Sequence, residues 1–354
     1  MLLLNPGPVT LTERVRKSLL QTDLCHRESE FFDLQQEARE RTLGIYGLDP
    51  TQWQAILMTG SGTAAVECMI AGLVPEDGAL LIIENGVYGE RTTQIAEQYR
   101  IPHTSIKHDW MSAPDLARVA VLLDSGRFTH VFVVHHETTT GRLNDLQGLA
   151  SVCRSSGVQL LVDGVSSFAA EAFDFTDGVI AAVAVSSNKC LHSVPGVAFV
   201  VARRDVLVRA TRRTYYLDIA RLAKYQDERN TPFTPAVHAY YALVEALREL
   251  EDGGGWSARH AHYAALAERV RAGLAELNID SVLPPEQSSV VLRSYRLPKG
   301  IGYQRLHDEL KIRGFVIYAG QGGLSTELFR ISTMGNIHVT DIDKLLAEFA
   351  TLVR

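Results

Sequence analysis

Between residues 50 and 205 the chain carries a series of short, continuous apolar runs, and these constrain its fold more than any other feature. Gln54–Met58, Ala79–Ile83, Val131–His135, Gln159–Val162, Val179–Val185 and Val197–Val201 are mostly unbroken stretches of Val, Ile, Leu and Ala rather than apolar–polar alternations. Strands buried on both faces read this way. Helical patterns separate the runs, so an α/β fold with a mostly parallel central sheet is expected. Ligands of such sheets bind beyond the carboxyl ends of the strands, which directs the search for chemistry.

The last third reads differently. Helical periodicity over Pro235–Glu251 stops at Gly253-Gly254-Gly255, and a second long helix follows from about Trp256 to Leu277. Strands are expected near Ser289–Arg293 and Phe315–Tyr318. A final amphipathic helix is expected over Thr340–Val353, with Thr340 as its N-cap. At the other end Thr10-Leu11-Thr12-Glu13 matches a capping box for a short helix to about Leu20. These patterns predict a large domain over 21–235, a smaller α+β domain over 236–354, and a 1–20 segment joining the small domain or the site entrance. A chain of 354 residues that is 46% hydrophobic can bury cores of that size.

Charge and cysteine usage narrow the function classes. Thirty-five Lys and Arg against 41 Asp and Glu give a net charge of −6, with no basic run to bind nucleic acid or an anionic membrane. The start lacks a signal-peptide pattern and no apolar run is long enough to span a bilayer, so a cytoplasmic protein is expected. Cys25, Cys68, Cys153 and Cys190 are scattered without close pairs, and His135-His136 lacks a zinc-binding pattern. Neither a disulfide framework nor a metal is expected.

Several strand ends carry residues able to do chemistry. Gly60-Ser61-Gly62-Thr63 follows the first run and opens a helix, where free N–H groups and small residues can cup a phosphate. Read alone, it is more often an ordinary strand–helix turn. Asp163 ends the run Leu160-Leu161-Val162; it either caps the next turn or faces the nitrogen of a pyridine ring. Lys189, in Ser186-Ser187-Asn188-Lys189-Cys190, is either a solvated lysine or a Schiff-base lysine. Tyr88, in Asn85-Gly86-Val87-Tyr88-Gly89, packs internally or stacks on a ring. The hydroxyls of His136-Glu137-Thr138-Thr139-Thr140-Gly141 bond a ligand or their own turn. An Asp and a Lys at successive strand ends behind a Gly-Ser loop point together to pyridoxal 5′-phosphate (PLP), held on Lys189 with Asp163 at the pyridine nitrogen.

These residues, in this order, resemble the fold-type I PLP aminotransferases over nearly the whole chain, from Leu3-Leu4-Asn5-Pro6-Gly7-Pro8 to Phe329-Arg330-Ile331. The branch most resembled contains the alanine–glyoxylate, serine–glyoxylate and 2-aminoethylphosphonate–pyruvate transaminases. Glu137-Thr138-Thr139-Thr140-Gly141, Ser187-Asn188-Lys189-Cys190, Val194-Pro195-Gly196 and Gly314–Tyr318 look most like the phosphonate enzymes. The resemblance implies a ping-pong transfer from 2-aminoethylphosphonate to pyruvate, with Lys189 moving the proton and Asp163 pairing with the ring nitrogen. It further implies Tyr88 on the ring face, Ser61, Gly62 and Thr63 on the phosphate, and Thr138 near the ring. Thr234 would reach the phosphate across a homodimer interface, and Arg330 would bind the substrate's anionic group. Asp23-Leu24-Cys25-His26-Arg27-Glu28 departs from the Cys-Thr-Trp-Asp pattern of some phosphonate transaminases. His26 or Arg27 would there supply the extra positive charge that a phosphonate requires. The alternative is transfer from serine or alanine to glyoxylate. A cysteine desulfurase is disfavoured because the last third contains no cysteine, and a DNA-binding regulatory module because no basic extension is present.

Overall fold

In the computed structural model, which describes residues 1–353, the apolar runs become the strands of one seven-stranded sheet. A short strand β1 (Leu2–Leu3) precedes helices α1 (Glu13–Ser18) and α2 (Ser29–Gly44). The sheet then begins with β2 (Trp53–Gly60), β3 (Leu80–Glu84), β4 (His103–Lys107) and β5 (His130–Val134). Helix α3 (Gly62–Leu73) follows β2, and α4 (Val87–Gln98) follows β3. A small ribbon of β6 (His136–Glu137) and β7 (Arg142–Leu143) leads on to β8 (Gln159–Asp163), β9 (Ile180–Ser186) and β10 (Gly196–Arg203). Across the sheet the order is β2-β10-β9-β8-β5-β3-β4, and β10 alone runs against its neighbours. The other six strands therefore deliver their carboxyl ends to one edge.

The continuous apolar runs are explained by burial on both sides. Successive strand residues face opposite ways. Leu81 and Ile83 join a core with Phe31 of α2 and Leu243 of the helix Val237–Asp252, whereas Leu80 and Ile82 join a core with Met69 of α3 and Ile219. At about 1.5–3 kcal/mol for each fully buried aliphatic side chain, a polar residue at any of these positions would be costly. β4 is not among the expected strands. It is the sheet edge, and of His103-Thr104-Ser105-Ile106-Lys107 only Ile106 is buried, so it carries no apolar run.

The last third forms its own core of Leu4, Val270, Phe329, Phe349 and their neighbours. Its strands are β11 (Leu292–Arg296), β12 (Phe315–Val316), β13 (Tyr318–Ala319) and β14 (Leu328–Ser332), three of them antiparallel in the order β11-β14-β13. β12 instead pairs in parallel with β1. The segment expected at Phe315–Tyr318 is thus split between two sheets at Ile317, and the strand expected at Ser289–Arg293 begins only at Leu292. Ser289 and Val290 are drawn off by Glu171, whose Oε1 accepts from both. Two caps also move. Thr12 rather than Thr10 caps α1, accepting the Val15 N–H at 3.1 Å, and the helix ends at Ser18. Thr10 Oγ1 instead takes the Leu3 N–H at 2.8 Å. Thr340 lies inside the last helix, which starts at Val339; Asp341 Oδ2 accepts the His338 N–H at 3.0 Å. Among the described residues no helix is long and apolar enough to cross a membrane.

Candidate active site

At the carboxyl edge of the sheet, Ser61, Gly62, Thr63, Tyr88, Thr138, Asp163 and Lys189 line one cavity of about 180 Å³. β8 ends on Asp163, whose buried Oδ1 accepts the Val165 N–H at 2.9 Å. The carboxyl therefore braces its own turn and caps no helix. Burial pushes it up to about 6, against the opposing pull of that bond and of Arg91 and Lys189. Lys189 sits in the turn between β9 and β10, which Ser187 ties off through its Oγ to the Val194 carbonyl at 2.6 Å. Burial draws its amine down to about 8. The Nζ donates to the Pro6 carbonyl, so the segment after β1 roofs the lysine. Gly7 makes that approach feasible: its φ is +106°, and a Cβ there would lie 2.6 Å from Lys189 Cδ.

The cavity's second wall is α3. Ser61 occupies its N-cap position, yet the hydroxyl makes no capping bond. The Ala64 N–H already donates to the Ser61 carbonyl at 2.9 Å, but the N–H groups of Gly62 and Thr63 have no acceptor within the helix and are open to a ligand. α4 provides Tyr88, and the stretch from His136 to Gly141 holds α4 in place. Thr139 Oγ1 accepts the Val87 N–H at 3.1 Å while donating to Glu137 Oε1 at 2.6 Å. Glu137 is buried with Oε2 unpartnered among the described residues, and burial pushes its carboxyl up to about 7.

Arg330 approaches the same loop from β14. It is 5% exposed and makes no salt bridge among the described residues, so it is not a surface ion-pair residue. Its Nε donates to the Ala319 carbonyl at 2.8 Å, and Nη1 donates to the Thr138 carbonyl at 2.8 Å. Its guanidinium is thus oriented by neutral groups and keeps its charge uncompensated.

Arg330 reaches the cavity only through the Thr138 carbonyl and does not itself line it, and three further expected residues stand apart. Thr234 is exposed on the loop before the helix Val237–Asp252, Arg27 is exposed, and His26 is half-buried; none of them lines the cavity within one chain. Two others belong to it without having been expected. Arg91 lies three residues beyond Tyr88 on α4, a spacing that puts both on one helix face. His136 lines the cavity with Nε2 unpartnered, and its Nδ1 donates to the Ser166 carbonyl at 3.0 Å. That bond fixes the tautomer and makes Nε2 an acceptor, and burial lowers the imidazole to about 4.

The aminotransferase class-V family model matches residues 16–346. This chain belongs to the class-V aminotransferases. Among curated relatives, the 2-aminoethylphosphonate–pyruvate transaminase of Bacillus cereus (strain G9842) is 33% identical over 99% of this chain and 97% of its own length. The solved subgroup IV aspartate aminotransferase of Thermus thermophilus superposes with a TM-score of 0.91 at 27% identity, covering 100% of this chain and 99% of that one. The alanine–glyoxylate aminotransferase of Nostoc sp. gives a TM-score of 0.92 at 25% identity, covering 100% and 95%.

Class-V aminotransferases use PLP, and as a member this chain takes an amino donor and a keto acid acceptor. The side chains present suit that cofactor, which brings an aldehyde, a basic ring nitrogen and a phosphate. The class-V cavity offers an amine with a lowered pKa, a buried carboxylate, and an uncapped helix N-terminus.

Proposed function

We propose that this class-V aminotransferase moves the amino group of 2-aminoethylphosphonate to pyruvate, giving phosphonoacetaldehyde and alanine. The observation that carries the reading is Arg330, a buried guanidinium with no carboxylate partner among the described residues and with its fork steadied by carbonyls. A fixed cation bonded to the Thr138 carbonyl, whose charge is felt at Lys189, suits a substrate whose far end is an anion. The phosphonate donor itself is taken from the 33% identical relatives, whose names carry that activity.

Bound PLP supplies an electrophilic carbon and a sink for electrons. In this reading Lys189 Nζ would hold the cofactor and, once displaced by the donor, would accept the proton from the donor carbon that bears the amine and deliver it to the cofactor carbon on the other side of that nitrogen. Its lowered pKa leaves a useful neutral fraction near pH 8. Asp163 holds the proton of the ring nitrogen, whose positive charge offsets the burial that raises the carboxyl. Tyr88 covers a ring face, Thr138 borders the ring, and Ser61, Gly62 and Thr63 hold the phosphate. The enzyme acts as a homodimer, in which Thr234 of the partner subunit completes the phosphate site, while His26 or Arg27 supplies positive charge at the substrate entrance.

A donor screen tests the reading. With pyruvate as acceptor, kcat/KM for 2-aminoethylphosphonate is expected to exceed that for serine or alanine with glyoxylate by about 100-fold or more. Dominant turnover of serine or alanine with glyoxylate would replace it with the glyoxylate reading, which the likeness to the Nostoc enzyme favours. Borohydride reduction of the loaded enzyme is expected to fix the cofactor to the peptide carrying Lys189, and Lys189→Ala to abolish both label and turnover.

A further inference from the structure

Arg91 lines the cavity without a carboxylate in salt-bridge range among the described residues. Its guanidinium lies over the Tyr88 ring, with Cζ 4.7 Å from the centroid, and Nη1 donates to Thr63 Oγ1 at 3.2 Å. A guanidinium has five donors, so these contacts leave most of its fork free. Thr63 belongs to the first turn of α3, where the Ser61 side chain makes no cap and the N–H groups of Gly62 and Thr63 have no acceptor. The positive end of a helix is equivalent to roughly half a charge. A phosphate monoester carries about −1.5 to −2 at neutral pH, so the helix alone leaves most of it unbalanced.

We propose that Arg91 is the cationic wall of the phosphate cup, binding the phosphate of the cofactor together with the first turn of α3. The proposal rests on the PLP reading above and adds a residue and a charge to it. A phosphonate on the amino donor is the other anion of the same chemistry. The contact with Thr63 puts Arg91 on the helix side of the cavity, whereas Arg330 enters from β14 beside the Thr138 carbonyl. The cofactor phosphate is therefore assigned to Arg91 and the substrate anion to Arg330.

The test compares PLP with pyridoxal, which lacks the phosphate, by equilibrium dialysis against apoenzyme of wild type, Arg91→Gln and Arg91→Lys. Arg91→Gln is expected to weaken PLP about 10–100-fold, the scale of one charge-assisted hydrogen bond, and to leave pyridoxal within about twofold of wild type. Arg91→Lys, which keeps the charge and loses the fork, should fall between. Because both ligands are measured on the same protein, general damage to the fold lowers both, and equal weakening overturns the proposal. So does unchanged PLP binding, including the case in which only the donor KM rises, which would move Arg91 to the substrate. A wild type that takes up neither ligand overturns the cofactor reading itself, and this proposal with it.

Discussion

An ordinary lysine titrates near 10.5, whereas burial brings Lys189 down to about 8, and this difference links the site to the stability of the apoprotein. Below pH 8 the amine is charged in the folded and the unfolded chain, so the full cost of burying it, about 3 kcal/mol, is present. Between about 8 and 10.5 the folded chain is neutral while the unfolded chain still binds the proton, and stability rises with pH. Lys189→Met is therefore expected to stabilise the apoprotein at pH 7 by about 1–3 kcal/mol, with the gap closing from pH 8 to 10.5. Urea titrations at several pH values measure this; an unchanged gap at pH 10 would contradict it. Asp163 has the opposite sign. Raised from 3.8 to about 6, its cost is full above pH 6 and vanishes below about 3.8. His136 is expected to remain the neutral Nδ1–H tautomer throughout the range above pH 5, a state that nitrogen NMR reads directly.

At the scale of elements, the start of α4 is positioned by a carboxyl group beneath it. A Cβ on Gly86 would overlap the Glu137 side chain. Gly86→Ala is thus expected to displace the first turn of α4 and with it Tyr88, lowering stability by about 1–3 kcal/mol and weakening PLP binding; calorimetry and dialysis check the two together. The strands were legible because burial on both faces leaves a pattern that polar substitution would destroy. β4 was not legible, since an edge strand with one buried residue carries no such pattern. The site divides in the same way. Asp163, Lys189 and the turn at Ser61 could be read because strand ends expose them, whereas the role given to Arg330 came only through family resemblance. Arg91 looks like any helix arginine until Tyr88, one turn earlier, is known to face a cavity. His136 needed its second nitrogen accounted for, which no one-dimensional pattern records.

For the whole molecule, the helix Val237–Asp252 packs in the core of the large sheet, so we propose that the joint between the two domains lies at Gly253-Gly254-Gly255 rather than at 235/236. The proposed homodimer makes a sharper prediction, because Thr234 is exposed and does not line its own chain's cavity. Lys189→Ala and Thr234→Asp are each expected to be inactive alone. After mixing and re-equilibration they should recover about a quarter of wild-type activity, since half the dimers are mixed and each mixed dimer has one intact site. No recovery, despite subunit exchange seen by native mass spectrometry, would confine the site to one chain.

The pairing of β1 with β12 has a further bearing on how the enzyme is made. In sequence, 313 positions separate Leu2 from Phe315 (315 minus 2), so the ribosome completes the large sheet well before β1 has a partner. Contacts between such remote segments form late and slowly. Until then Pro6 and Gly7 have no anchor over Lys189. The nascent chain therefore presents an unroofed amine to solvent, and maturation of the candidate pocket becomes a post-translational event timed by the arrival of the last third.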